Sequence, residues 1–199
     1  VPNGVNLDLF TKNAQRPNKK PVILISNNFT WLQNVEAAEV LIKEVFPIVK
    51  KTIPQAKLLV VGQHIPQSIL DSQSKDIEVR NLEESDVWGI AKAYKDATIF
   101  AAPIMGPGGT RLKILAAMAS QLPIVTTTVG MAGLKATPDK HFLIGDSPVH
   151  FANQIIKIIK SPSLSKKLGI EARHHVERYF DYASIAKQLS DIYKSLAKK

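Results

Sequence analysis

The sequence predicts an α/β domain on an open, doubly wound parallel sheet, with helices on both faces and a helical C-terminal tail. Three observations carry this. Short apolar runs such as Val22–Ser26 and Ala56–Gly62 alternate with amphipathic helical stretches. Their β-branched, unalternating character suits strands buried on both faces. The spacings between them are too long for hairpins, so the connections read as right-handed crossovers.

The first strand, Val22–Ser26, follows a stretch rich in Pro, Asn and Lys. After the loop Asn27–Gln33, Asn34 can cap a helix with Val35, Ala38, Leu41, Ile42, Val45 and Ile48 on one face. Pro47 lies inside that pattern and is expected to kink the helix or split off its last turn. Ala56–Gly62 is the second strand, Gln67–Ser72 a weak helix and Ile77–Arg80 a short third strand. Ser85 or Asp86 then caps a helix with Val87, Ile90, Ala91 and Tyr94 on its apolar side. Thr98–Ala102 returns to strand, a helix covers Thr110–Ser120, and Pro123–Thr127 and His141–Ile144 are the last strand candidates. Asp146-Ser147-Pro148 is a helix start, a cap followed by proline at the first position. Helices follow at about Val149–Lys160, Ser163–Tyr179 and Tyr182–Ala197.

Composition excludes several classes. The 199 residues hold 45% hydrophobic residues, too many for a disordered chain, and no apolar run reaches the length of a membrane span. No cysteine means no disulfide framework, thiolate metal site or cysteine nucleophile, and makes a cytoplasmic setting the default. From Lys157 onward ten Lys/Arg face four Asp/Glu, so +6 of the net +9 lies there. The plain reading of that excess is solvated helix faces. An anionic membrane surface is the partner it would otherwise suit, and no RGG, zinc-finger or RRM-like pattern supports nucleic acid. The opening Val-Pro-Asn-Gly, without a methionine, reads as the interior of a longer chain.

In such sheets ligands bind beyond the carboxyl ends of the strands. The informative loop there is Pro103-Ile-Met-Gly-Pro-Gly-Gly-Thr-Arg-Leu-Lys113: a strand ends, glycines follow and a helix opens at Gly109–Thr110. Amides at a helix start carry partial positive charge and suit a phosphate. Arg111 and Lys113 in that first turn oppose the helix dipole, each at a cost of roughly 0.3–1 kcal/mol, which a bound anion would offset. The alternative is a glycine turn with two exposed basic side chains. Neither GxGxxG nor GxxxxGK[ST] is present, nor HExxH, GxSxG or an Asp-x-Asp. What remains is a diphosphate neutralised by backbone amides and side-chain cations, without a metal.

Several segments together resemble the C-terminal half of a family 4 (group 1) retaining glycosyltransferase. They are Val1-Pro-Asn-Gly-Val-Asn with Phe10, Trp31-Leu-Gln-Asn34, Leu59-Val-Val-Gly62, Gly108-Gly-Thr-Arg-Leu-Lys-Ile-Leu-Ala-Ala-Met-Ala119, Leu122-Pro-Ile-Val-Thr-Thr127 and Gly130-Met-Ala-Gly-Leu134. The resemblance implies one Rossmann-like half of a GT-B arrangement that holds a nucleotide-sugar donor, with the active site in the cleft to an N-terminal domain that provides the acceptor site. It divides the chain into a hinge segment (1–20), a nucleotide-sugar-binding domain (21–180) and a C-terminal helix (181–199). It implies no cofactor, a UDP-sugar or GDP-sugar as substrate, and a position at the inner face of a membrane as one setting.

Carried over by position, the resemblance places the donor diphosphate at Gly108, Gly109, Thr110, Arg111 and Lys113, with Arg111 and Lys113 in the catalytic role. The loop Asn27–Asn34 approaches the phosphates or sugar from the first strand; many relatives have an Arg and a Lys there, and this sequence offers Asn27, Asn28, Thr30 and Asn34. Arg80, Asn81 and Leu82 match the segment against the base, although Asn81 equally suits a turn. One departure stands out: the Glu of the relatives' Leu-Glu-Ala-Met-Ala motif, a hydrogen-bond acceptor for the donor ribose, is Ala116 here. Either another group reads the ribose or the site is weakened, which leaves a degenerate binding or assembly module as the second reading. Elsewhere, His64 reads as a surface residue, His174 and His175 as solvated, Trp31 as packing the first loop or lining the cleft, and Trp88 as helix packing.

Overall fold

A computed structural model describes residues 3–12, 20–106 and 111–197. Six strands form one sheet: β1 (Val22–Asn28), β2 (Lys57–Gln63), β3 (Ile77–Asn81), β4 (Ile99–Ala102), β5 (Ile124–Thr126) and β6 (Leu143–Ile144). Their order is β3-β2-β1-β4-β5-β6, and every pairing is parallel. The predicted doubly wound sheet is therefore present. Successive residues of β1 point to opposite faces, and both faces are covered. Ile23 and Ile25 join an apolar cluster with α1 (Leu32–Val40), α2 (Phe46–Thr52) and α6 (Pro148–Lys160). Leu24 joins one with α4 (Val87–Asp96), α5 (Leu112–Ala119) and α7 (Pro162–Tyr179). A short α3 (Gln67–Leu70) and a terminal α8 (Tyr182–Ala197) complete the chain.

Pro47 acts as its covalent structure requires. A proline nitrogen has no hydrogen to donate, and its ring crowds the carbonyl four residues earlier. The helix accommodates this by widening instead of splitting: Leu41–Val45 is a π turn, closed by the Phe46 N–H to the Leu41 carbonyl, and α2 resumes at once.

Four expectations need correction. Asn34 is not a cap; α1 starts at Leu32 behind Trp31, and the Asn34 amide turns sideways to the Asn28 carbonyl at 2.6 Å. The helix after the glycine loop begins at Leu112, so Arg111 is its cap residue and not part of its first turn. His175 is buried, its Nε2 2.8 Å from the Leu134 carbonyl oxygen and its ring centroid 4.6 Å from that of His141, while His174 is exposed as expected. Trp88 is 72% exposed, because it falls on the outer face of α4 while Ala93 and Tyr94 take the inner one.

The chain's first segment is fastened to its last. The Val5 N–H donates to the Phe180 carbonyl at 2.9 Å, and the Tyr182 N–H donates back to Val5 at 3.1 Å. Arg173, buried, holds the Phe10 carbonyl at 2.9 Å and also the Ala119 carbonyl at the end of α5, where a cation suits the helix dipole. Beyond Ile185, α8 is exposed through Leu196, and no described helix is long and apolar enough to cross a membrane.

Candidate functional site

β1 and β4 are neighbours in the sheet, but the chain leaves them toward opposite faces, through α1 and α5. A crevice opens at that divergence, at the carboxyl ends of the strands. It holds a cavity of about 860 Å³. Its lining combines a polar group (Asn27, Asn28, Gln33, Asn34, Arg111 and Lys113) with an apolar group (Phe10, Ile90, Tyr94 and Ala116) that belongs to one packed cluster.

Lys113 stands at the junction. Its ammonium donates to the side-chain oxygen of Asn27 and, at 2.7 Å, to that of Asn34. Both amides are held with their oxygens toward the lysine: the Asn27 NH₂ donates to the Asn34 carbonyl at 3.2 Å, and the Asn34 NH₂ to that of Asn28. From below, the Tyr94 hydroxyl donates to the Lys113 carbonyl at 3.2 Å, and its ring stacks on Phe100 at 5.3 Å between centroids. Arg111, 9% exposed, extends the other way and donates to the Val129 carbonyl at 3.1 Å. Both cations are thus held by neutral oxygens, and among the described residues no Asp or Glu lines the cavity.

This arrangement penalises positive charge. Burial, with the Arg111 cation adding to it, pushes the Lys113 ammonium down to about 8, and burial also lowers Arg111. An anion in the cavity reverses that penalty and returns Lys113 toward its ordinary value. Below pH 8 the lysine is charged with or without ligand, and anion affinity is flat. Above it, binding takes up a proton, so affinity falls with rising pH, approaching tenfold per unit until the pKa of the bound state. Calorimetry of a diphosphate ligand between pH 7 and 9.5, in buffers of different ionisation enthalpy, checks both the slope and its sign.

Not every residue singled out from sequence converges here. Asn27, Asn28, Asn34, Arg111, Lys113 and Ala116 line one cavity. Gly108, Gly109 and Thr110 lie outside the described residues. Arg80, Asn81 and Leu82 do not line it: Arg80 pairs with Glu78 at 2.6 Å, Asn81 accepts from the Ile65 N–H at 3.2 Å, and the Leu82 N–H bonds Gly62 at 2.7 Å. His64 is exposed beside Glu84 at 3.0 Å. Trp31, 62% exposed, does line the cavity. Sequence reasoning missed Gln33, Phe10 and the placing of Tyr94 under Lys113. Tyr94 carried a signal, as a phenol on an apolar helix face whose hydroxyl must find a partner. Phe10 entered only as part of the resemblance, with no role at the site, since only the fastening of the first segment to α7 and α8 brings it there.

Fold and site together define a doubly wound α/β domain with a cationic crevice at its switch point. The chain belongs to the glycosyl transferases group 1 family, whose description matches residues 20–161. It is 22% identical over 203 residues to phosphatidyl-myo-inositol mannosyltransferase of Mycobacterium leprae, covering 99% of this chain and 53% of that protein. The chain spans about half the length of the curated relatives it matches. Among solved structures it resembles sucrose-phosphate synthase from Thermosynechococcus elongatus, with a TM-score of 0.78 and 24% identity over 100% of this chain and 52% of that one. An Anabaena protein solved in complex with UDP-glucose gives a TM-score of 0.75 at 14% identity, over 96% of this chain and 56% of that one. At such identities the two structural likenesses speak for the fold.

Proposed function

We propose that this chain is the donor-binding half of a retaining, metal-independent glycosyltransferase that uses a UDP-sugar or GDP-sugar. The observation that carries the reading is the pair of cations, buried Arg111 and half-buried Lys113, in a cavity that no carboxylate among the described residues lines, at the topological switch point. A diphosphate leaving group develops negative charge as the glycosidic carbon departs. Cations already fixed in place stabilise that charge without reorganising at the moment of reaction. A lining without carboxylates favours neutralisation by side chains over a bridging metal ion, and the described residues contain no His/Asp/Glu cluster suited to one. The Anabaena relative in the fold comparison was solved with UDP-glucose, which supports the substrate class. Acceptor binding and turnover would need a second domain, so the 199-residue chain by itself is expected not to transfer sugar. The exposed α8, with Leu189, Ile192 and Leu196 uncovered, and the basic excess from Lys157 onward support a place near an anionic membrane.

One observation favours a second reading, a degenerate module with weak donor binding: Ala116 stands where relatives have an acid. Calorimetric titration of UDP and GDP into the chain, with Arg111→Gln/Lys113→Gln and Ala116→Glu alongside, separates the two. Binding of one nucleotide that disappears in the double variant supports a donor site and identifies its base. No binding at millimolar nucleotide by the wild type or Ala116→Glu would sink the donor reading for this chain.

A further inference from the structure

We infer that the donor cavity accepts nucleoside diphosphates without discriminating ribose from 2′-deoxyribose. The inference rests on the donor reading above and names the substrate class more closely. Nucleotide sites in sheets of this kind read a ribose hydroxyl with an Asp or Glu, and a hydroxyl donating to a charged acceptor is worth a preference of roughly 10- to 100-fold. No acid is available here. None lines the cavity, and none is among the residues outside the described ones, which are 1–2, 13–19, 107–110 and 198–199. The three acids on the loop after β3, Glu83, Glu84 and Asp86, do not line it, and two are engaged elsewhere: Glu84 faces His64 at 3.0 Å, and Asp86 caps α4 on the Gly89 N–H at 2.7 Å.

Four of the neutral side-chain acceptors around the cavity, all asparagine oxygens, are also engaged. The side-chain oxygens of Asn27 and Asn34 hold Lys113, that of Asn28 takes the Thr30 N–H at 3.0 Å, and that of Asn6 takes the Asp8 and Leu9 N–H groups. One turn along α5 from Lys113, on the side that faces the cavity, stands the methyl group of Ala116, 5% exposed and packed with Tyr94 in the apolar cluster. A sugar reaching past the diphosphate therefore meets a hydrocarbon wall. Such a wall neither recognises a 2′-hydroxyl nor misses it.

The test is calorimetry on the 199-residue chain at pH 7 with two matched pairs: UDP against 2′-deoxyuridine diphosphate, and GDP against 2′-deoxyguanosine diphosphate. The expected result is agreement within about threefold in whichever pair binds. A preference of tenfold or more for the ribose form overturns the inference while leaving the donor site standing. Absence of binding by all four at millimolar concentration overturns the donor reading and the inference with it. Ala116→Glu in the same titrations is expected to raise the ribose preference about tenfold or more. A folded Ala116→Glu protein with an unchanged ratio overturns the placing of the sugar at this wall. Should that variant not fold, the wild-type pairs decide alone.

Discussion

Replacing Lys113 by methionine is expected to cost nucleotide affinity and to raise thermal stability at the same time. The ammonium supplies charge-assisted hydrogen bonding to a diphosphate, worth about 1.5–3 kcal/mol, so Kd should rise roughly 10- to 100-fold. Without ligand the same group is a burden, a half-buried, desolvated cation near a second cation, held among the described residues by two amide oxygens. A methionine of similar length removes the desolvation penalty, and water in the open cavity can serve the freed Asn27 and Asn34 oxygens. The expected gain at pH 7 is on the order of 1–2 kcal/mol, or a Tm rise of ~3–6 °C for a chain of this size. The sign with pH follows from the depressed lysine. Its penalty is present while the group is charged in the fold, below about pH 8, and is relieved as pH rises from there toward its ordinary value of 10.5. The stability advantage of the variant should thus shrink above pH 8. Differential scanning fluorimetry across pH, read beside calorimetry, checks both halves. A variant that loses affinity and stability together would make Lys113 a structural pillar instead of a ligand-binding group.

The second large effect is expected from Gly62→Ala. Gly62 pairs with Asn27 across β1 and β2, and a β-carbon added there would sit 1.8 Å from the Asn27 carbonyl oxygen and 3.0 Å from the Phe29 ring. The nearest obstacle is backbone and cannot rotate away, so β1 and β2 must separate at that point. Overpacking of this kind costs about 3 kcal/mol, a Tm loss of ~6–12 °C. The damage falls at the residue whose side chain holds Lys113, so nucleotide affinity should drop as well. Gly106→Ala is the control: its nearest neighbour, the Gln33 β-carbon, lies 3.9 Å away, and Tm should stay within about 2 °C. Chemical denaturation of both variants with a nucleotide titration at low temperature would measure the two losses. Equal stability of Gly62→Ala and wild type would refute the close approach of the strands at this point.

Much of this architecture was legible before any coordinates. Strand runs such as Leu58–Gly62 read as unbroken apolar stretches because strands buried on both faces tolerate little else, and the spacing of those runs dictates crossovers. Pro47 announced a disturbed helix, since its missing N–H is a covalent fact that no context can restore. The Asp86 and Ser147 caps were readable for the same reason, each being a local side chain-to-backbone bond. The cations of the site were visible too, because Arg111 and Lys113 break a local rule at a helix start.

What the sequence could not show were the partners of those groups, which depend on distances between segments far apart in the chain. Asn34 has the composition of a cap, yet its amide serves a lysine 79 residues away, a contact that exists only because β1 and β4 lie side by side. His175 sits in a basic stretch and reads as solvated, but the packing of α7 against the 127–137 loop buries it. The sequence by itself determined the sheet, its two coats of helices and the cations at its edge, since local periodicity and covalent geometry suffice for those. Only the tertiary structure decided that the oxygens of Asn27 and Asn34 hold Lys113 and that Tyr94 lies beneath it, because the sign and strength of a charge's environment come from neighbours that the chain order does not reveal.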